Sequence, residues 1–111
     1  MTLPKKYRLA KKKSIDVIFK EGKTVQGSFF FVKYLRNSLA IPRVAVTVSK
    51  KAAKTAVQRN RTKRKVTSVI YEYVRGMNID MVLVVTAPIL DKPEEEIKSE
   101  VEQNINKIKV K

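Results

Sequence analysis

Residues 49–65 read Ser49-Lys50-Lys51-Ala52-Ala53-Lys54-Thr55-Ala56-Val57-Gln58-Arg59-Asn60-Arg61-Thr62-Lys63-Arg64-Lys65. Eight of these seventeen are Lys or Arg and none is acidic. Ammonium and guanidinium groups at this density repel one another unless a polyanion relieves them. The chemistry they suit is neutralisation of a phosphate backbone, with Asn60 able to donate and accept hydrogen bonds beside it. A charged helix face that is merely solvated usually mixes the two signs, and this one does not. The acids offer much less. Asp16, Glu21, Glu72, Asp80 and Asp91 are scattered, and Glu94, Glu95 and Glu96 stand together where a helix start favours negative charge. There is no paired-carboxylate pattern, no Gly-rich phosphate loop and no Walker-type spacing. The chain has no Cys and no His, which excludes a Cys/His zinc site and the common nucleophilic triads. These residues describe a binding protein without its own active site, and with no metal site.

The whole chain of 111 residues carries a formal net charge of +15, unevenly spread. Residues 1–65 hold 19 Lys or Arg and 2 acids, giving +17, while residues 66–111 hold 6 and 8, giving −2. The N-terminal three-fifths is therefore expected to face the polyanion and the remainder to serve as scaffold. The length fits one domain, 1–111, with residues 1–11 as a basic N-terminal arm, and 43% hydrophobic residues suffice for a core. The longest apolar runs are too short to span a membrane, and the basic N-terminus lacks the apolar centre of a signal peptide. A soluble, cytoplasmic protein is expected, with no membrane partner and no small-molecule cofactor.

The elements that must position the cationic segment follow from periodicity. Ile15, Ile18 and Phe19 predict a short amphipathic helix over 13–21, with Gly22 as its stop. Residues 24–26 suit a short strand and 28–36 an aromatic one. In the latter, Phe29, Phe31, Lys33 and Leu35 would share one face and Phe30, Val32 and Tyr34 the other. The Lys33 face is expected to be the open one, beside Ala45 and Thr47 of the following strand. Exposed aromatics next to cations would make a stacking platform for unpaired bases, although burial of all three Phe in the core is the plainer reading. Residues 37–38 read as a turn, and Pro42 opens a half-buried strand over 43–49. A long helix follows over 55–75, basic in its first half and striped with Val66, Val69, Ile70 and Tyr73 in its second, ended by Gly76. Residues 80–86 predict a strand buried on both faces. Pro93 starts a last helix with Ile97, Val101, Ile105 and Ile108 on one side. The order α-β-β-β-α-β-α is that of an α+β two-layer sandwich.

At this point the chain resembles the protein subunit of bacterial ribonuclease P. The likeness rests on Ser49-Lys50-Lys51 followed by Ala56-Val57-Gln58-Arg59-Asn60-Arg61-Thr62-Lys63-Arg64. Arg8-Leu9, Ile15, Phe19, Gly22, Phe30, the valine-rich third strand and Asp80 support it in the same order. The resemblance spans roughly residues 5–109. It implies a four-stranded sheet with three helices and a left-handed β-α-β crossover, a fold shared with a ribosomal-protein domain. It implies the accessory subunit of an endoribonuclease that removes the 5′ leader from precursor tRNA, with the chemistry and its Mg²⁺ carried by the RNA subunit. Ribonuclease P RNA and precursor tRNA are the implied partners. Carried over by position, Arg8, Lys50, Lys51, Lys54, Arg59, Asn60, Arg61, Lys63 and Arg64 would bind RNA, and Ile15, Phe19, Phe31 and Lys33 would line the cleft for the leader. Four features depart from the family pattern: the segment before Ala56 is one residue longer, Thr86-Ala87-Pro88 lacks an Arg often seen after the last strand, and two more concern the SKK and the cleft. Ala52-Ala53-Lys54 stands where a Gly usually follows the SKK, and Lys33 replaces an apolar or tyrosine position.

Two further readings compete. A non-enzymatic RNA-binding or ribosomal protein of similar fold needs the basic patch but no leader cleft. A basic DNA-binding protein would bind duplex DNA equally well and show no preference for a leader-bearing tRNA.

Overall fold

The computed structural model describes residues 12–37 and 41–109. In chain order it contains α1 (Lys12–Glu21), β1 (Lys23–Gln26), β2 (Phe30–Arg36), β3 (Arg43–Val48), α2 (Ala56–Val74), β4 (Ile79–Val85) and α3 (Glu94–Lys109). The four strands form one sheet in the order β1-β2-β4-β3. β2 pairs antiparallel with β1 and β4, whereas β3 pairs parallel with β4. A parallel pair cannot be closed by a hairpin, and α2 supplies the crossover. The α+β class, with four strands and three helices, is the one expected.

The strand next to β2 corrects one expectation. Lys33 lies opposite Val82 of β4, and Val82 opposite Ala45 of β3, so β4 separates Lys33 from the strand that follows it in sequence. Every residue of β4 but Val84 is buried. Such a strand gains most where neighbours cover both its edges and both its faces, and the half-polar β3 takes the edge instead.

One face of the sheet holds the main core. Phe30, Val32, Tyr34, Val44, Val46, Met81, Leu83 and Val85 meet Val66, Val69, Ile70 and Val74 of α2 and Ile97, Val101, Ile105 and Ile108 of α3. Each fully buried aliphatic side chain contributes about 1.5–3 kcal/mol. Among the described residues the other face is covered only by α1, whose buried Ile18 sits against Val82, with Ile15, Leu35, Ala45 and Val84 packed around them. No helix among the described residues is long and apolar enough to cross a membrane.

The aromatic strand starts later than the alternation suggests. The carboxylate of Glu100 accepts hydrogen bonds from the Ser28 and Phe29 N–H groups. The Phe29 carbonyl accepts from Thr86 N (2.8 Å), Thr86 Oγ1 (3.1 Å) and Ala87 N (3.2 Å). These bonds bend the chain before β2, so Phe29 does not share the Phe31 face. It packs on the main core, with the Lys92 ammonium 4.5 Å from its ring centroid. Phe30 is fully core, which leaves Phe31 as the one aromatic of the three on the α1 face.

Gly76, at φ 82°, ends α2 in the left-handed region. Gly22 stops α1 for a different reason. Its N–H donates to Ile18 O at 2.8 Å, and a Cβ there would lie 2.4 Å from Ile18 O and 3.0 Å from Tyr34 O, both backbone atoms. The glycine allows α1 to turn directly into β1 against β2. Gly22→Ala should therefore destabilise the fold by about 1–3 kcal/mol, read as a lower urea midpoint with unchanged slope. A midpoint equal to wild type would show that the backbone there yields freely.

Candidate nucleic-acid interface

The cationic segment begins as a tightly bonded loop. Ser49 N–H donates to Val85 O at 3.0 Å, tying the loop to the end of β4. The Ser49 carbonyl accepts from Ala52 N and Ala53 N, each at 3.1 Å, and its hydroxyl oxygen accepts from Ala52 N at 3.2 Å. Ala52 and Ala53 are buried, whereas Lys50, Lys51 and Lys54 are exposed. The Ala-Ala-Lys departure is thus accommodated by turning two methyl groups inward. Thr55, in extended conformation, caps α2: its hydroxyl oxygen accepts from Gln58 N (3.1 Å), and Gln58 Oε1 accepts from Thr55 N (3.4 Å) and Lys54 N (3.2 Å). A Thr/Gln capping box fixes where the helix starts without placing an acid there.

Along α2, Val66, Val69, Ile70 and Val74 face the core, as does Thr62, whose hydroxyl donates to Gln58 O at 2.8 Å. Asn60, Arg61, Lys63 and Arg64 are exposed. Residues 60, 61 and 64 lie within one helical turn, and 63 borders them. Among the described residues, none of Lys50, Lys51, Lys54, Arg61, Lys63 and Arg64 has an acidic partner. The positive end of the helix dipole adds to their field. Two cations of the segment face inward instead. Arg59 is half-buried, and its Nη1 donates to Ala53 O (3.3 Å) and Lys54 O (3.2 Å). Lys65 Nζ donates to Lys92 O (3.0 Å) and Leu90 O (3.4 Å), holding the segment after β4 against α2. Arg8 lies outside the described residues.

The expected cleft residues fall on the α1 face of the sheet. Gln26, Phe31, Val84 and Thr47 form one row across the strands, and Thr24, Lys33, Val82 and Ala45 the next. Phe31 and Lys33 are half-buried, and Lys33 has no hydrogen-bond or ion-pair partner among the described residues. Ile15 packs over this face, but Phe19, at 41% exposure, projects from α1 and is not part of the packed cluster. The first row lies at the end of the sheet from which residues 49–55 depart, so the open face and the cationic loop adjoin.

The opposite end of the sheet holds an ion pair that residue types alone did not single out. Arg43 donates from Nε to Asp80 Oδ1 (2.8 Å) and from Nη2 to Oδ2 (2.5 Å), and Asn37 Nδ2 donates to the same Oδ1 (2.8 Å). Burial pushes the Asp80 carboxyl up, but the hydrogen bonds from Arg43 and Asn37 and the Arg43 charge outweigh it and leave it below its ordinary value. Arg43 is raised, chiefly by its hydrogen bonds to Asp80. Pairing β2's end, β3's start and β4 through one carboxylate gives this group a structural role, and Arg43 is not part of the free cationic surface.

An α+β sheet with a capped, acid-free cationic helix start beside a half-open sheet face defines a polyanion-binding class of protein. Comparison with known proteins narrows the class. The family model described as Ribonuclease P matches residues 3–109. The ribonuclease P protein component of a Pseudanabaena species is 28% identical over 111 residues, covering 97% of this chain and 96% of that one. The component from Caldanaerobacter subterraneus is 30% identical over 106 residues, covering 90% and 87%. Among solved structures, the Staphylococcus aureus RNase P protein superposes with a TM-score of 0.80 at 26% identity, covering 94% of this chain and 96% of that one. The Thermotoga maritima protein gives 0.66 at 26% identity, covering 91% and 93%. The chain belongs to the ribonuclease P protein family.

Proposed function

We propose that this chain acts as the protein subunit of a ribonuclease P ribonucleoprotein, binding the catalytic RNA and the single-stranded 5′ leader of precursor tRNA. The observation that carries the reading is the exposed, acid-free run of cations whose leading loop adjoins the half-open sheet face. Lys50, Lys51, Lys54, Asn60, Arg61, Lys63 and Arg64 are exposed without acidic partners among the described residues, and the loop that starts this run leaves β3 at the end of the sheet face that presents Phe31 and Lys33. The cations would contact phosphates of the RNA subunit. The sheet face, with Ile15 and Phe19 on α1 above it, would take unpaired leader nucleotides by stacking and by the Lys33 charge, without demanding a sequence. Two polyanions, RNA subunit and substrate, repel one another, and a cationic surface between them lowers that repulsion and strengthens substrate binding. Catalysis is assigned to the RNA. Mg²⁺ needs oxygen ligands, usually carboxylates or phosphates. This surface offers ammonium and guanidinium groups instead, so it does not fit the ion, which the RNA would hold.

The test is cleavage of a leader-bearing precursor tRNA by a bacterial ribonuclease P RNA at low Mg²⁺, with and without the protein. Cleavage at the mature 5′ end that depends on both supports the subunit role. Tight binding to many RNA classes without stimulation would leave a general RNA-binding protein. Cleavage by the protein alone would overturn the assignment of catalysis to RNA.

A further inference from the structure

Arg59 sits in the middle of the cationic motif, yet its bonding differs from that of its neighbours. Nη1 donates to the carbonyls of Ala53 and Lys54, and the side chain is half-buried while Arg61, Lys63 and Arg64 are exposed. The preceding residue grips the same peptide from its other side, because Gln58 Oε1 accepts from the N–H of Lys54. Gln58 and Arg59 thus hold both the N–H and the C=O of Lys54. Ser49 holds the other end of the loop through Ala52 and Ala53.

The physical need is clear. Lys50, Lys51 and Lys54 place three ammonium groups within five residues, with no acidic partner among the described residues to draw them in. Their mutual repulsion and the chain's conformational entropy both favour an open, mobile loop. The carbonyls of Ala53 and Lys54 precede the helix and have no ladder to join, and a guanidinium with several fixed donors can donate to both while its remaining N–H groups stay available. We infer that Arg59 is a positioning residue: it braces residues 50–54 so that Lys50, Lys51 and Lys54 meet RNA already ordered, rather than serving chiefly as a phosphate contact itself. The consequence for RNA rests on the proposed function, but the bracing does not.

The experiment compares wild type, Arg59→Lys and Arg59→Gln, using the full chain. Backbone ¹⁵N relaxation of residues 50–54 is measured without RNA, and affinity for ribonuclease P RNA is measured against salt. Arg59→Lys keeps the charge but not the planar fork. It should lower the order parameters of residues 50–54 from about 0.85 toward 0.6. RNA affinity should fall by roughly three- to tenfold with the salt slope unchanged, since the number of cations is the same. A loop as ordered in both variants as in wild type would overturn the brace. In that case a slope lowered by about one unit in Arg59→Gln would make Arg59 a phosphate contact in its own right. A loosened loop with unchanged RNA affinity would overturn the positioning role and show that this loop is not an RNA surface. Absence of specific binding by wild type would instead sink the proposed function.

Discussion

Replacing Arg61, Lys63 and Arg64 together with alanine is expected to lower affinity for ribonuclease P RNA by on the order of a hundredfold at physiological salt, and to flatten the salt dependence by about two to three units. Each phosphate contact releases close to one counterion, so the slope counts contacts while the affinity sums them. Arg61→Ala alone should remove about one unit. All three side chains are exposed, so their loss opens no cavity. Removing like charges from one helix face should leave thermal stability equal or slightly higher. A melting curve close to wild type beside a large loss of binding would locate the effect at the interface. Unchanged affinity and slope would take this helix face out of the RNA contact surface.

The second large effect concerns Asp80, which is 9% exposed and bonded to both Arg43 and Asn37. Asp80→Asn should destabilise the fold by about 3 kcal/mol, because it leaves the Arg43 guanidinium in a partly buried place without its counter-charge. For a domain near this size that is roughly 15 °C in Tm. The sign of the pH dependence follows from the depressed folded-state pKa of Asp80. A carboxyl that titrates lower folded than unfolded contributes stability that is fully present above its unfolded value. That contribution is lost as pH falls through the folded one. The gap in stability between wild type and Asp80→Asn should therefore be constant at neutral pH and close below about pH 4. A gap that persists at pH 2 would mean the charge is not what the site needs. Asp80 is paired with Arg43 at the start of β3, at the far end of the strand from residues 49–55. Wild type and variant, both kept folded at low temperature, should thus bind RNA alike.

Much of the architecture was readable one segment at a time. The Ile15/Ile18 spacing, the valine alternation in 43–48 and the apolar run of β4 are local signals, because side-chain periodicity reports the face an element must bury. Charge needs no fold to be counted, so the acid-free cationic run at residues 49–65 is legible directly. Side-chain direction within that surface was less accessible. Lys54, Arg59 and Lys65 are all cations of one motif, yet one is exposed and the others bond to carbonyls at 53–54 and at 90 and 92. Nothing in the residue type separates them; only the position of nearby unpaired carbonyls does.

The amino-acid sequence by itself determined the family, the order of elements and the sign of the surface, since each depends on short-range pattern or on composition. The tertiary structure decided which residues share the site. Insertion of β4 between β2 and β3 put Val82, not Ala45, beside Lys33. Glu100, more than seventy residues away in sequence, bent the chain at residues 28–29 and sent Phe29 to the core, leaving Phe31 on the open face. Pairing of Asp80 with Arg43 withdrew one arginine from the cationic surface. These outcomes turn on strand order and on hydrogen bonds between distant backbone and side-chain groups, which exist only once the chain has closed on itself.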